Sequence, residues 1–148
     1  MSAGDRPGDS PVRGLAHVAI AVEEAEPLAA VLVAALGAVR GGEEVLDDGA
    51  LRVVFVHLGP VTFELLEPRA GHTVAAFLEK RGAGLHHVSL EVSDLEGTLA
   101  RCREAGVRLI DAAPRAGAHG QRIAFLHPKS LGGVLIELSQ PASGRPGA

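Results

Sequence analysis

The chain has no Trp or Tyr, and only one Cys and four Phe among its 148 residues. A single cysteine cannot form an internal disulfide, which favours a reducing cytoplasm as the compartment. Cys102 falls within a helical pattern, where a buried structural thiol is expected. No apolar stretch approaches the roughly 20 residues that cross a bilayer, and residues 1–13 lack the apolar centre of a signal peptide. The sequence therefore predicts a soluble cytoplasmic protein with no membrane partner.

Clusters of basic residues are also missing. Lys and Arg number 14 against 18 Asp and Glu, and no run of cations could follow a phosphate backbone. Nucleic acid is therefore not expected as a partner. What the chain does have is 47% hydrophobic residues, which at this length can form the core of one domain or of two fused half-domains.

Internal repetition is the strongest pattern in the sequence. Three blocks recur in the same order, at separations of 70, 70 and 73 residues. They are 14–22 with 84–92, 53–57 with 123–127, and 62–68 with 135–141. Three ordered matches at nearly constant spacing indicate a duplicated module.

Each copy predicts the same order of elements, βαβββ. Alternating apolar residues predict strands, and apolar residues at helical spacing predict a helix after the first strand of each copy. The predicted strands are 15–22, 39–46, 51–58 and 61–67 in the first copy, and 85–92, 107–111, 122–126 and 134–139 in the second. The predicted helices are 24–36 and 94–105, with a short linking helix at 73–80. Ser93 and Glu96 form a capping-box pattern at the start of the second long helix.

The predicted fold class is α+β, with two tandem βαβββ modules. The first module is expected over 14–68 and the second over 84–140, joined by a linker over 69–83 that contains the short helix. Both chain ends are rich in Gly and Pro and lack apolar periodicity, so residues 1–13 and 141–148 are predicted to be flexible tails.

Four polar residues interrupt the apolar strands at matching places in the two copies: His17, Glu64, His87 and Glu137. Side chains of an extended strand alternate between two faces, so His17 shares a face with Ala19 and Ala21, opposite the apolar side chains. Two imidazoles and two carboxylates form a mixed nitrogen and oxygen donor set. Such a set suits a divalent ion such as Zn, Co, Ni, Mn or Fe.

A single His in a strand is more often a hydrogen-bonded structural residue than a metal ligand. The repetition changes this balance, because a structural interpretation leaves two Glu inside apolar strands, each at a desolvation cost of several kcal/mol. A pseudo-two-fold arrangement would instead bring one His and one Glu from each copy to a common centre. We therefore predict one metal site made of these four residues.

The paired modules with their His and Glu residues resemble the vicinal oxygen chelate superfamily, which includes glyoxalase I, extradiol dioxygenases, antibiotic-resistance proteins and methylmalonyl-CoA epimerases. Several motifs are similar to those of the epimerase family in particular. They are FELLEP at 63–68, AFLEK at 76–80, GLHHV at 84–88, GAHG at 117–120, FLHPKS at 125–130 and GVLIEL at 133–138.

The resemblance implies a curved mixed sheet around one divalent ion per chain, with Co, Zn, Ni, Mn and Mg as candidates. The implied ligands are His17, Glu64, His87 and Glu137, with His86 pointing off the metal face. The implied substrate is an acyl-CoA thioester, and the implied assembly is a homodimer. The implied reaction interconverts (2R)- and (2S)-methylmalonyl-CoA by proton abstraction at C2 through a metal-stabilised enolate, with Glu137 as a base.

One position departs from the epimerase family. Some bacterial members have a second base, a Glu on the third strand, and alignment through Gly49 places Arg52 there. The nearby acidic residues are alternative second proton carriers, although a charged hairpin is usually a solvated turn. They are Glu43, Glu44, Asp47 and Asp48.

Coenzyme A carries phosphates that need cationic partners. Arg115, Arg122 and Lys129 are the candidates, with solvated surface charge as the alternative interpretation for each. His72 and His119 are expected in exposed loops.

Two other kinds of function stay open. The chain could be another enzyme of the superfamily, a glyoxalase-type lyase or a dioxygenase. An iron(II) oxygenase normally uses two His and one carboxylate, so the second carboxylate disfavours it. The other alternative is a non-catalytic protein that binds a small molecule or an antibiotic.

Overall fold

A computed structural model describes residues 10–142, and the chain divides into two compact units. Among these residues, the first unit is 16–88, and the second is 10–15 with 89–142. Most of the two predicted tails, residues 1–9 and 143–148, lies outside the described residues. Within residues 10–142, no helix is long and apolar enough to span a bilayer.

The elements follow the predicted order of two βαβββ sets with a helix between them. The strands are β1 (Val12–Ala21), β2 (Val39–Leu46), β3 (Leu51–Leu58), β4 (Val61–Pro68), β5 (Gly84–Val92), β6 (Arg115–Ala116), β7 (Arg122–Leu126) and β8 (Ile136–Gln140). The helices are α1 (Ala25–Leu36), α2 (Thr73–Arg81) and α3 (Leu95–Glu104).

The first unit contains a mixed sheet with strand order β2-β3-β4-β1. β1 runs parallel to β4, with Ala19 opposite Glu64, and β3 runs antiparallel to β4, with Phe55 opposite Glu64. Helix α1 covers one face of this sheet with an apolar core. That core includes Ala25, Ala29, Leu32, Val54, Val56 and Leu65. The strand alternation therefore turns His17 and Glu64 toward the face that α1 does not cover.

The second unit repeats this arrangement with strand order β5-β8-β7-β6. Helix α3 covers one face, and its apolar core includes Leu95, Leu99, Ala124, Leu126 and Leu138. Phe125 stands opposite Glu137 in the β7–β8 ladder, just as Phe55 stands opposite Glu64 in the first unit. The duplication seen in the sequence is thus also present in the strand register.

Two strand predictions need correction. β1 begins at Val12, inside the predicted tail, where Ser93 N donates a hydrogen bond to Pro11 O at 3.0 Å. Residues 107–111 do not form a strand and have only a bridge from Leu109 to Leu126. The amide of Phe125, the residue before Leu126, donates to Asp111 Oδ2 at 2.8 Å. A side-chain carboxylate thus takes the place that a backbone carbonyl would have in a strand pair.

The helices α1 and α3 begin with similar side-chain contacts from the last strand of each copy. Ala25 N donates to Glu67 Oε2 at 2.7 Å, and Leu95 N donates to Gln140 Oε1 at 3.0 Å. Each acceptor lies three positions after the repeated Glu of its strand. The duplicated strands therefore satisfy an otherwise unbonded helix N–H group in both units.

The predicted capping box of α3 is wrong. Asp94 is the N-cap, and its Oδ1 accepts from Gly97 N at 3.1 Å. The Ser93 hydroxyl instead donates to Pro11 O at 3.4 Å. Cys102 is half-buried against the α3 core, and this burial raises the pKa of its thiol, as befits a structural thiol.

Candidate functional site

His17, Glu64 and His87 form one buried cluster in the first unit, on β1, β4 and β5. They are only 5, 8 and 7% exposed. His17 Nδ1 lies 2.8 Å from Glu64 Oε2, and His17 Nε2 lies 3.1 Å from His87 Nε2. The two rings meet edge to face, with centroids 5.3 Å apart. The structure thus brings three of the four predicted ligands together.

Burial disfavours the charged form of two imidazoles in this region, those of His86 and His87. Desolvation lowers the pKa of His87 to about 2, and repulsion from His17 and His86 adds to the effect. Desolvation also lowers the pKa of His86, with a smaller contribution from His72. A neutral imidazole has one nitrogen lone pair, which is the form that binds metals.

The spacing of the two rings fits a shared divalent ion. The two Nε2 atoms lie 3.1 Å apart, so both imidazoles would be able to supply a nitrogen donor to one divalent ion. Because a neutral ring carries one proton and His17 Nδ1 donates to the Glu64 carboxylate, the His17 Nε2 lone pair faces His87. The donors present therefore fit a metal ion.

Glu64 contacts the nitrogen of His17 that is remote from His87. In this position the carboxylate fixes the orientation and the tautomer of the His17 ring, as carboxylates do behind metal-binding histidines. Direct binding of the ion by Glu64, which the sequence implies, stays a prediction.

Glu137 lies on β8 in the second unit and is 5% exposed. It has the same register position in its unit that Glu64 has in the first. Ser139 shares its face by strand alternation, and the Oγ atoms of Ser89 and Ser139 lie 3.4 Å apart. Both serines are fully buried. This face of the second unit thus combines a buried carboxylate with two buried hydroxyls.

Arg52 lies on the α1 side of the first unit's sheet, away from Glu64. Its guanidinium contacts the carboxylates of Glu26, Glu43 and Glu67. The sequence alignment gives Arg52 the position of a second base, but its side chain points away from the sheet face that carries Glu64. The face that carries His17 and Glu64 has no charged group from this residue.

Only one of the four acidic candidates shares the sheet face of Glu64. Glu44 stands opposite Val53, which alternates onto that face, and Glu44 is half-buried. Glu43 points to the other face, and the remaining two candidates lie in the turn Asp47–Gly49. Glu44 is therefore the acidic candidate that the strand register favours.

Of the three predicted coenzyme A contacts, Arg115 lies on the same sheet face as the buried carboxylate of β8. It pairs with Ile123 across β6 and β7, and its guanidinium lies 5.5 Å from the centre of the Phe125 ring. Arg122 instead faces α3, where it forms an ion pair with Glu96. The expectation for Arg122 is thus not supported by its position. Lys129 is exposed in the turn Pro128–Ser130.

The sequence interpretation missed contacts of two histidines. His86 Nδ1 lies 2.8 Å from His87 Nδ1, and its ring packs edge to face on Phe77, with centroids 4.9 Å apart. His72, expected in an exposed loop, caps α2 instead, since its Nδ1 accepts from Val74 N at 3.0 Å and its side chain is 13% exposed. The adjacent His-His pair in the sequence was a signal for the contact between His86 and His87. Strand alternation argued against that contact, because it places neighbouring side chains on opposite faces.

Comparison with known proteins agrees with the predicted family and fold. Residues 16–125 match the profile of the Glyoxalase/Bleomycin resistance protein/Dioxygenase superfamily. The chain is 43% identical over 129 residues to the ethylmalonyl-CoA/methylmalonyl-CoA epimerase of Cereibacter sphaeroides. The aligned region covers 85% of this chain and 96% of that protein.

Solved structures give the same result. The crystal structure of methylmalonyl-CoA epimerase from Mycobacterium tuberculosis matches with a TM-score of 0.85 and 38% identity, over 90% of this chain and 91% of that one. A methylmalonyl-CoA epimerase in complex with methylmalonyl-CoA and NH4+ matches with a TM-score of 0.82 and 30% identity, over 90% and 98% of the two chains. The predicted fold class is therefore confirmed.

Proposed function

Because the chain belongs to the glyoxalase/bleomycin resistance protein/dioxygenase superfamily, we propose that it is a metal-dependent methylmalonyl-CoA epimerase. It interconverts (2R)- and (2S)-methylmalonyl-CoA. The observation that carries the proposal is the buried cluster of His17, Glu64 and His87, found in a chain that matches a named epimerase over 96% of its length. A family likeness alone would leave the reaction open, whereas the cluster supplies the donors that this reaction needs.

We propose that His17, His87, Glu64 and Glu137 hold one divalent ion, with Co, Zn, Ni, Mn or Mg as the candidates. The two neutral imidazoles supply nitrogen donors, and the buried carboxylates balance the charge of the ion. Support for Glu137 comes from its burial, its match to Glu64 in the sequence repeat and its identical strand register.

The reaction removes a weakly acidic proton from the carbon between a thioester and a carboxylate. A divalent ion at this site supplies Lewis-acid stabilisation for the negative charge that develops on the thioester oxygen. The chain itself must supply proton carriers, and the buried carboxylate of Glu137 is the one we assign as a base at C2. Inversion also requires a proton donor on the opposite side of that carbon. Our candidate is Glu44, the acidic residue that shares the sheet face of Glu64.

Substrate orientation is the second task of the site. The apolar side chains around the cluster, Leu51, Val53, Phe55 and Leu66, exclude water from the face that carries His17 and Glu64. A dry surrounding strengthens the interactions that stabilise developing charge. Arg115, held over the Phe125 ring, is our candidate for a phosphate of coenzyme A.

We further propose that the chain forms a homodimer in the cytoplasm, as the resemblance implies. Sedimentation of the full chain at several concentrations measures the assembly directly. A species of single-chain mass throughout would contradict the dimer without affecting the proposed reaction.

The test of the proposed reaction is deuterium exchange. The metal-loaded protein is mixed with one epimer of methylmalonyl-CoA in D2O, and deuterium at C2 is followed together with formation of the other epimer. We expect both to occur. Their absence would contradict the proposal, and oxygen uptake with the same substrate would indicate an oxygenase instead.

Glu137→Gln is the matched variant for this assay. The amide keeps the size of the side chain but cannot accept the C2 proton, so exchange is expected to fall by about 10²- to 10⁴-fold. Metal binding is expected to weaken less, because three of the four proposed ligands remain. Exchange at the wild-type rate in a folded Glu137→Gln protein would remove Glu137 from the role of base.

A further inference from the structure

His86 approaches the proposed metal ligand His87 from the adjacent position on β5. Side chains of neighbouring strand residues normally diverge to opposite faces, yet the two Nδ1 atoms lie 2.8 Å apart. A separation of 2.8 Å between ring nitrogens is a hydrogen bond, in which one nitrogen donates and the other accepts. The contact is on the side of the His87 ring that is remote from His17, because His17 meets its Nε2 atom.

The His86 ring is fixed in place by helix α2. Phe77 of that helix packs edge to face on His86, with centroids 4.9 Å apart and planes inclined by 68°. Arg81, one turn further along α2, lies 5.6 Å from the centre of the Phe77 ring. His86 is thus half-buried between its strand and α2, and its Nδ1 atom is held toward His87.

The hydrogen bond determines which nitrogen of His87 is available to an ion. A neutral imidazole carries one proton, so His87 can present the Nε2 lone pair only if the proton is on Nδ1. That Nδ1–H then needs an acceptor, and His86 Nδ1 is at hydrogen-bond distance. In the other tautomer, His87 Nε2–H would donate to His17 Nε2, 3.1 Å away, and neither ring could share an ion there.

We propose that His86 is a positioning residue for the metal site, because it accepts the Nδ1–H of His87 and so selects the tautomer whose Nε2 lone pair faces His17. Glu64 does the same for His17 through its Nδ1. The two rings would then have separate acceptors, a carboxylate and a second imidazole. This inference rests on the proposed function, since it concerns the same metal site.

Two variants separate the acceptor from the packing. His86→Phe keeps a ring against Phe77 but removes the acceptor, whereas His86→Asn places an amide oxygen near the position of Nδ1 and gives up the ring. Zinc affinity of the full chain is measured by competition with a chromophoric chelator, and thermal unfolding of the metal-free proteins is measured alongside. We expect His86→Phe to lose about 10- to 100-fold in zinc affinity and His86→Asn to recover most of it.

The tautomer is read directly in the wild-type protein. Long-range ¹H–¹⁵N spectra of the zinc-loaded chain, with ¹⁵N-labelled histidine, distinguish a protonated Nδ1 from a protonated Nε2. We expect His87 to be protonated at Nδ1. Protonation at Nε2 would overturn the inference even if a variant failed to fold.

The outcomes also distinguish the role of His86 from the existence of the metal site on which that role depends. If wild-type protein binds zinc and His86→Phe binds it equally well, the role of His86 is overturned and the metal site stands. If wild-type protein binds no zinc, cobalt, nickel or manganese, the proposed metal site fails and the role of His86 fails with it.

Discussion

At the scale of single residues, the site depends on what each imidazole does with its second nitrogen. His17 and His87 face each other through Nε2, and each has a different partner at Nδ1: a carboxylate for His17 and His86 for His87. Such partners fix ring orientation and raise ligand basicity. The contacts behind the proposed ligands are therefore as informative about the site as the proposed ligands themselves.

Glu64 offers a residue-scale prediction that covers both of its proposed roles. Glu64→Leu removes the acceptor for His17 Nδ1 and any oxygen donor to the ion, so metal affinity is expected to fall by about 10- to 100-fold. Glu64→Gln keeps a side-chain oxygen of the same reach and should lose less. Competition titrations with a chelator measure both variants, and wild-type affinity in Glu64→Leu would exclude Glu64 from the site.

At the scale of elements, three strands have the bounds that the sequence predicts. These strands are β2, β3 and β7. The prediction of the α3 cap was wrong, because two polar residues compete at the start of that helix. Ser93 matched the motif, but its hydroxyl is bonded to Pro11 O from a distant part of the sequence. Residues 107–111 were mispredicted for a similar reason, since the Asp111 side chain bonds the amide of a later strand. Sequence pattern alone does not contain these tertiary contacts.

The start of α3 gives an element-scale prediction. Asp94→Ala removes the acceptor for Gly97 N and is expected to lower the free energy of unfolding by about 1 kcal/mol. Ser93→Ala, the control at the residue that the capping-box pattern favours, is expected to change it by less than about 0.5 kcal/mol. Urea denaturation of the metal-free proteins measures both. A larger loss in Ser93→Ala than in Asp94→Ala would contradict the assignment of the cap.

The ion pairs that join β2 and β3 to α1 predict a pH effect. Hydrogen bonds from Arg40 and then Arg52 lower the pKa of the Glu26 carboxyl to about 2. A lowered carboxyl pKa stabilises the fold above the ordinary value near 4.5, and this contribution is lost as the pH falls from there toward 2. In an Arg40→Gln, Arg52→Gln double variant the Glu26 pKa should rise toward 4.5. A carboxyl titration followed by NMR checks this, and an unchanged value would disprove the pairing.

At the scale of the whole molecule, the duplication explains how much the sequence could predict. The fold class and three converging residues could be predicted because the same strand pattern, with His and Glu at matching positions, occurs in both copies. The register supports this, since each repeated Glu stands opposite a Phe. Features present in one copy only were harder to predict. His86 has Ala16 at its matching position, so the repeat carried no signal for its role.

We propose that a divalent ion held by the duplicated His and Glu residues enables proton removal at C2. The most direct measurement strips the protein with a chelator and then titrates Co²⁺ while deuterium entry at C2 of methylmalonyl-CoA is followed. We predict negligible exchange in the stripped protein, and a rise that ends at one ion per chain. Full exchange in the stripped protein, or none at any level of metal, would contradict metal-dependent proton removal.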